Sequence, residues 1–383
     1  MNTLDWTYHN PVRVIYKAGS IDKISQYISQ QRILLVTTPG FRRRGVVDKI
    51  TACLGQRLIG VIDVIAPNPD ILEIDSLGEK YRQSEPDLLL ALGGGSSIDA
   101  AKCLAKILAQ PPGRTFSAHF REGLVFEEKS ALAIATIPTT SGTGSEVTPF
   151  ATIWDFEMGQ KYSMMGPDIY PEVSILDPEL TFKLPEEITI SSGLDSISHA
   201  LESGWNKNAN SITLSLVAKS LQLSLSALRV LKQDAENREA RGAMMQASLL
   251  SGLAISQTRT ALAHSISYAL TVHFGMPHGF ACSFTLPALL RFNAEADDGR
   301  LEDLAHSLGY RDIQMFSNSL CSLLKGLELP SYFSRYIADN NKILEFVDEM
   351  IMPSRADNNL READIDDVVM ILKSSLRDIA TET

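Results

Sequence analysis

Cysteine is scarce in this chain of 383 residues: there are four, Cys53, Cys103, Cys282 and Cys321, and no two stand at C-x-x-C spacing. Cysteine zinc sites and disulfide frameworks rest on such spacings, so both are excluded. Basic tracts are missing too. Arg42, Arg43 and Arg44 form the one tight cluster, and the formal net charge is -11. An acidic surface repels nucleic acid and anionic membranes, so neither is expected as a partner. No apolar run approaches the roughly 18 residues that a membrane span needs. The opening MNTLDWTYHN has no basic start and no apolar stretch. The expectation is therefore no secretory signal and a reduced, cytoplasmic location. Histidine is sparse as well, seven in all, yet His264, His273 and His278 fall within the single stretch Thr258–Gly279.

What is present is an ordinary globular composition, 44% hydrophobic and 21% charged, in a chain long enough for two domains. The first half alternates short apolar runs with helical patterns. Arg32–Thr38, Arg57–Ile65, Pro86–Ser96 and Ala131–Ser145 read as buried strands, with helices over Ile71–Gln83 and Ile98–Leu108. Strands alternating with helices predict parallel pairing through crossover helices. After about Leu184 the strand-like runs give way to long amphipathic stretches such as Ser211–Leu231 and Ala235–Leu253. We thus expect an α/β domain over 1–184 and an all-helical domain over 185–383. The break falls at KLPEE, where a proline and two acidic residues start a helix.

Two loops and one helix carry the chemistry. ALGGGSSIDAAK places Gly93, Gly94, Gly95 and Ser96 between a buried strand and a helix. Such a turn is either a tight strand-to-helix connection or a cradle for a pyrophosphate, with free N–H groups and the positive dipole end facing it. The strict G-x-G-x-x-G fingerprint is absent. PTTSGTGS (Pro138–Ser145) is a second, hydroxyl-rich loop at a strand end. Both would lie at the carboxyl edge of one sheet, where open α/β sheets bind ligands. In GLDSISHALE, Asp195 and His199 stand at i and i+4, one turn apart on one helix face. Alone, that pair is as well explained by a surface hydrogen bond. Joined by His264 and His278, it is a carboxylate and three imidazoles, a set that suits Fe²⁺, Zn²⁺, Mn²⁺ or Co²⁺.

In order, GGGSSIDAAK, IPTTSGTGSEVT, DPELTFKLP, GLDSISHALE and AHSISYAL with PHG closely resemble the iron-containing (group III) alcohol dehydrogenases, over about Asn10 to Asn293. The resemblance implies a Rossmann-like α/β N-terminal domain and an all-α C-terminal domain, an architecture shared with dehydroquinate synthase. It implies a dinucleotide and a divalent metal in a cleft between them, and a homodimer. Carried over position by position, the metal ligands are Asp195, His199, His264 and His278. The cofactor residues are Thr38, Asn68, Gly94, Gly95, Ser96, Asp99, Thr139, Thr140, Thr148 and Lys161. The cysteines have no role in that pattern and are expected in the core.

The chain also departs from the family. Tyr268 stands where many members carry a second histidine of an H-x-x-x-H pair; it is a catalytic candidate, although a phenol near pKa 10 is a poor proton relay at pH 7. His273 has no ligand role and is expected to be a satisfied helix-end histidine. Arg259 lies five residues before His264. Buried beside a metal, it would call for an anion such as a phosphonate or carboxylate. With TRTALAHSISYALT it resembles the branch of the family that reduces phosphonoacetaldehyde in phosphonate metabolism. Thr37 and Thr38 replace an aspartate that NAD-preferring members direct at the ribose, and three arginines follow, which favours NADP(H) over NAD(H). The implied reaction is hydride transfer between NAD(P)H and a small, anionic aldehyde, with the metal, Fe²⁺ or Zn²⁺, as Lewis acid. The last proton comes from water, a ribose hydroxyl or Tyr268. The alternatives are a dehydrogenase of neutral alcohols or glycerol-type polyols, a cyclase of the dehydroquinate synthase type, and a non-catalytic homologue.

Overall fold

The computed structural model describes residues 5–128 and 130–380. The first four residues of MNTLDWTYHN lie outside them. Two compact units emerge. One comprises Asn10–Thr140 and Ser145–Thr181; the other gathers residues 5–9, Ser141–Gly144 and 182–380.

The first unit is an α/β domain. Its strands are β1 (Arg13–Tyr16), β2 (Ile33–Thr37), β3 (Leu58–Ile62), β4 (Leu88–Gly93), β5 (Ala133–Pro138), β6 (Phe150–Asp155), β7 (Gln160–Met165) and β8 (Val173–Leu176). Six form one sheet in the order β1-β8-β5-β4-β2-β3, every neighbouring pair parallel. Helices α1 (Pro39–Arg43), α2 (Val46–Leu54), α3 (Ile71–Tyr81), α4 (Gly95–Leu108) and α5 (Phe116–Glu122) belong to the same unit. The central strands are apolar without alternation because both faces are covered. Leu34, Val36, Leu89 and Ala91 enter one core, while Ile33, Leu35, Leu88 and Leu90 enter another. Strands β6 and β7 form a separate antiparallel hairpin. The sequence shows β2 to β5 as apolar runs but not β1 and β8, of four residues each, or the β6–β7 hairpin outside the main sheet.

The second unit is helical. It includes α6 (Glu186–Gly204), α7 (Ser211–Gln233), α8 (Arg238–Thr258), α9 (Leu262–Phe274) and α10 (His278–Ser283). Trp205, Leu221, Leu228, Leu262 and Phe280, all fully buried, belong to one continuous core. Helix α7 is long and apolar enough to cross a bilayer on length and composition, which corrects the expectation that no stretch reaches that mark. Its Val217, Leu221, Leu225, Leu228 and Leu231 are spent in the core of this unit. The boundary expected at 184/185 lies within three residues of the change of unit. The change of unit falls at Phe182, and residues 5–9 and Ser141–Gly144 cluster with the helices. A run of sequence cannot announce that segments far apart in the chain belong to one unit.

Candidate functional site

Helix α6 is the platform of the helical unit's site. Asp195, His199 and Glu202 recur at i, i+4 and i+7, so they share one face. All three are buried. His264 arrives from the first turn of α9, and His278 is the first residue of α10, with Pro277 capping it. What lets α10 come so close is Gly279. A Cβ there would sit 1.8 Å from the carbonyl oxygen of Ser191 on α6. No side chain is tolerated at that distance, and His278 is brought to Asp195 as a result.

The donor atoms converge. Asp195 Oδ1 lies 3.6 Å from His199 Nε2, 3.5 Å from His264 Nε2 and 3.9 Å from His278 Nε2. Ligands at about 2.1 Å from a metal in a tetrahedron are about 3.4 Å apart, so these spacings suit one shared cation. The ring orientations are held from behind. His199 Nδ1 is 3.1 Å from the Gly142 carbonyl oxygen, and His264 Nδ1 is 2.6 Å from Glu202 Oε2. A carbonyl or carboxylate oxygen only accepts, so each Nδ1 carries the proton and each Nε2 offers a lone pair. Among the described residues, buried His264 Nε2 has no hydrogen-bond partner, an arrangement that costs free energy unless something electron-deficient meets it.

The charges agree with that reading. Burial opposes ionisation of Asp195, yet the imidazoles of His199, His264 and His278 hold it well below the usual carboxylate range. Burial pushes His199 down. Burial works against the charge on His264 as well, but Glu202 and Asp195 outweigh it and lift the ring to about 9. Two buried carboxylates thus draw positive charge to this point, and without a metal a proton on His264 supplies it.

Glu202 is the residue that sequence reasoning missed. It is fully buried, and its other oxygen, Oε1, accepts from the His264 backbone N–H at 3.0 Å. Its i+7 spacing from Asp195 was the available signal. Cys282 was expected in the core and is fully buried there, but its thiol also faces Asp195 Oδ1 at 3.6 Å. Asp195, His264, His278 and Cys282 offer donor atoms all within 4.8 Å of one another. Burial holds the Cys282 thiol well above its ordinary value; His199 lies outside this set of four, although its Nε2 is 3.6 Å from Asp195 Oδ1.

Tyr268 is buried, its ring parallel to that of His278 at 6.3 Å between centroids. Burial pushes its phenol up to about 12 against the pull of Arg355. His273 pairs with Glu349 at 2.7 Å and stacks on Phe346 at 3.8 Å, satisfied at the helix end as expected. Arg259 requires a correction. It is exposed and closes α8 with φ 65° and ψ 177°. The argument that a buried guanidinium there demands an anion therefore fails, because water already solvates it.

In the α/β unit, the glycine turn sits where the sequence placed it. Gly93 has φ 153°, and a Cβ on it would meet Ser97 Oγ at 2.3 Å. Gly94 and Gly95 open α4, Ser96 Oγ accepts from the Asn68 N–H at 3.2 Å, and Thr139 N donates to Gly93 O at 3.0 Å. A Cβ on Gly94 would press on Thr140 Oγ1 at 3.0 Å. Gly94, Gly95, Ser96, Asn68, Thr139 and Thr140 are thus brought together at the carboxyl ends of β4 and β5, and Thr38 follows β2 on the same edge. This turn could hold a dinucleotide pyrophosphate. Asp99 and Thr148 are engaged differently. Asp99 accepts from Ser145 Oγ at 2.6 Å and Thr152 N at 2.9 Å, and Thr148, fully buried, accepts from Lys102 Nζ through its carbonyl at 2.8 Å. Both are tied into the loop by these bonds. Lys161 lies over the Trp154 ring at 5.1 Å. Of the three arginines, Arg42 is ion-paired with Asp63 and Arg44 covers Phe41 at 4.2 Å.

A parallel sheet with a glycine turn at its carboxyl edge, and a buried carboxylate with three convergent imidazoles, together define a metal- and dinucleotide-dependent oxidoreductase. Residues 11–178 match the iron-containing alcohol dehydrogenase model and 189–376 match the model of that family's C-terminal part. The chain belongs to the iron-containing alcohol dehydrogenase family, NAD(P)-dependent enzymes that act on alcohols and aldehydes. It is 30% identical over 334 residues to the NADPH-dependent butanol dehydrogenase of Clostridium saccharobutylicum, covering 85% of both chains. It is 31% identical over 299 residues to the phosphonoacetaldehyde reductase of Streptomyces viridochromogenes, covering 77% of this chain and 74% of that one. Its fold is similar to that of sulfoacetaldehyde reductase from Bifidobacterium kashiwanohense in complex with NAD+, with a TM-score of 0.90, 28% identity, and coverage of 99% and 100%.

Proposed function

We propose that Asp195, His199, His264 and His278 hold a divalent metal, Fe²⁺ first, and that the enzyme reduces a small aldehyde carrying an anionic group. The observation that carries the first half is the convergence of three imidazole Nε2 atoms on one carboxylate oxygen. When bound, the metal supplies Lewis acidity toward a carbonyl oxygen. The protein's share is positional. Glu202 and the Gly142 carbonyl fix the ring tautomers, and Gly94, Gly95 and Ser96 present the start of α4 to the pyrophosphate. Tyr268 keeps its proton throughout the neutral range, so it acts as a packed ring and hydrogen-bonding group rather than as a relay. The proton that completes the alcohol then comes from water or a ribose hydroxyl. Four free cysteines accord with a reduced, cytoplasmic setting; a homodimer rests on the family resemblance alone.

The second half, the anionic substrate, is supported by similarity to reductases named for phosphonoacetaldehyde and sulfoacetaldehyde. The similarity to a butanol dehydrogenase favours the second reading, a neutral short-chain aldehyde. Anaerobically purified, Fe²⁺-reconstituted enzyme decides between them when given phosphonoacetaldehyde and neutral aldehydes of equal size, with NADPH and NADH in parallel. A kcat/KM at least about 100-fold higher for the anion, the worth of one or two charge-assisted hydrogen bonds, supports the first reading. Comparable or better turnover of neutral aldehydes replaces it with the second. The same assay decides the cofactor, for which only Arg43 of the three arginines is without a described partner or ring contact.

A further inference from the structure

We propose that Arg355, not Arg259, receives the anionic end of the substrate and sets the enzyme's preference for charged aldehydes. The inference rests on the anionic-aldehyde reading above. It starts from placement within the helical unit. The Arg355 guanidinium lies 4.8 Å above the Tyr268 ring, and that ring is parallel to His278 at 6.3 Å. The guanidinium is therefore two ring steps from the converging imidazoles. An aldehyde of two carbons bearing a phosphonate or sulfonate spans on the order of 5 Å from carbonyl oxygen to far oxygen, a few bonds of about 1.5 Å each. With a ligand bond of about 2 Å at the carbonyl end and a hydrogen bond of about 2.8 Å at the charged end, such a substrate reaches on the order of 10 Å from the imidazole cluster, a length comparable to the two ring steps to Arg355.

The segment that carries Arg355 is held in place. Ser265 Oγ donates to Met350 O at 2.7 Å and accepts from Met352 N at 2.8 Å, tying the chain just before the short helix Pro353–Ala356 to the first turn of α9. Behind it, Asn358 Nδ2 donates to Thr260 O at 2.9 Å, and Leu360 N donates to Trp205 O at 2.9 Å. Arg355 Nη1 itself donates to Thr260 Oγ1 at 2.8 Å. Thr260 and Ser265 flank His264, so one short stretch fixes both a proposed metal ligand and the arginine. A guanidinium whose direction is fixed in advance loses little entropy on meeting an anion. Its planar fork also matches two oxygens of a phosphonate or sulfonate. Arg259 is exposed, and the bonds that hold it, from its N–H to Ile255 O and from Asn206 Nδ2 to its O, are to its backbone.

The test compares wild type, Arg355→Ala, Arg355→Lys and Arg259→Ala, each metal-loaded. Substrates are sulfoacetaldehyde and 3,3-dimethylbutanal, which share a tetrahedral end and differ in charge. Calorimetric binding of 2-hydroxyethanesulfonate to the enzyme with oxidised dinucleotide is the second readout. For Arg355→Ala we expect kcat/KM for the anion to fall about 10- to 100-fold, carried by KM, and sulfonate binding to weaken in step. Turnover of the neutral aldehyde should fall at least about 10-fold less than that of the anion, Tm and metal content report that the variant is folded, and Arg355→Lys should recover part of the loss because it keeps the charge without the fork. If wild type prefers the anion but Arg355→Ala keeps that preference, or Arg259→Ala alone loses it, the assignment of Arg355 is overturned and the anionic-substrate reading stands. If wild type shows no preference for the anion, the substrate reading itself falls and the assignment falls with it.

Discussion

Replacing Glu202 by glutamine changes one atom and should cost the enzyme most of its hold on metal. The carboxylate accepts twice from one residue: Oε1 takes the His264 backbone N–H at 3.0 Å and Oε2 faces Nδ1 at 2.6 Å. Glutamine has one acceptor and one donor end. If its oxygen keeps the backbone N–H, its NH₂ points at Nδ1, and two donors collide unless the imidazole moves its proton to Nε2. That nitrogen is then blocked as a ligand. If the amide turns over, the backbone N–H is left unsatisfied in a fully buried place, at about 1–3 kcal/mol. Either way, affinity for Fe²⁺ or Zn²⁺ should fall by about 10- to 100-fold, the usual effect of losing the group behind a ligating histidine. The assay is competition with a chelator of known affinity, followed by the gain in Tm on adding metal. A variant that binds metal within twofold of wild type would refute the idea that Glu202 sets the tautomer of His264.

Three further outcomes follow from the same coordinates. Gly279→Ala forces a methyl against Ser191 O at 1.8 Å and should destabilise the fold by about 3 kcal/mol or more while weakening metal binding; a Tm within 2 °C of wild type, on the order of 1 kcal/mol or less, would contradict it. Tyr268→Phe keeps the ring under Arg355 and should leave kcat within about 3-fold with an unchanged pH profile, whereas a relay would cost about 100-fold or more. Glu146 is buried, and burial lifts its carboxyl from 4.5 to about 7. Its contribution to stability is thus complete below pH 4.5 and lost as pH rises through 7, a difference of roughly 3 kcal/mol. Glu146→Gln should accordingly gain in Tm over wild type above pH 8 and not at pH 5; an equal offset at both pH values would rule this out.

Much of this was legible in the sequence because period and spacing carry it. The continuous apolar runs of β2, β4 and β5 announce strands covered on both faces, and the i, i+4 pair Asp195 and His199 announces a shared helix face. The glycine turn needs its glycines, at Gly93 for a backbone conformation and at Gly94 for room beside Thr140. What stayed hidden depends on tertiary placement. Glu202 offers only its i+7 spacing from Asp195, a spacing that a surface glutamate of an amphipathic helix shares. Arg259 and Arg355 are equally good arginines on paper; only the end of α8 exposes one, and only the staples at Ser265, Thr260 and Asn358 hold the other over Tyr268. Asp99 on α4 and Thr148 just past the hydroxyl-rich loop carry bonds that no local pattern announces, to the β6 backbone and from a buried lysine.

The helical unit is not one uninterrupted stretch of chain. Gly142, from the loop after β5, supplies the oxygen on which His199 rests, and His9 N and O bond Gln257 on α8 at 3.1 and 2.8 Å. A gene fragment encoding only the residues after Phe182 would lack both. The metal-side unit therefore cannot be excised, shuffled or expressed as a cassette without a damaged histidine. A split enzyme made at that junction should reassemble only if the N-terminal piece threads its glycine loop into place before the metal arrives.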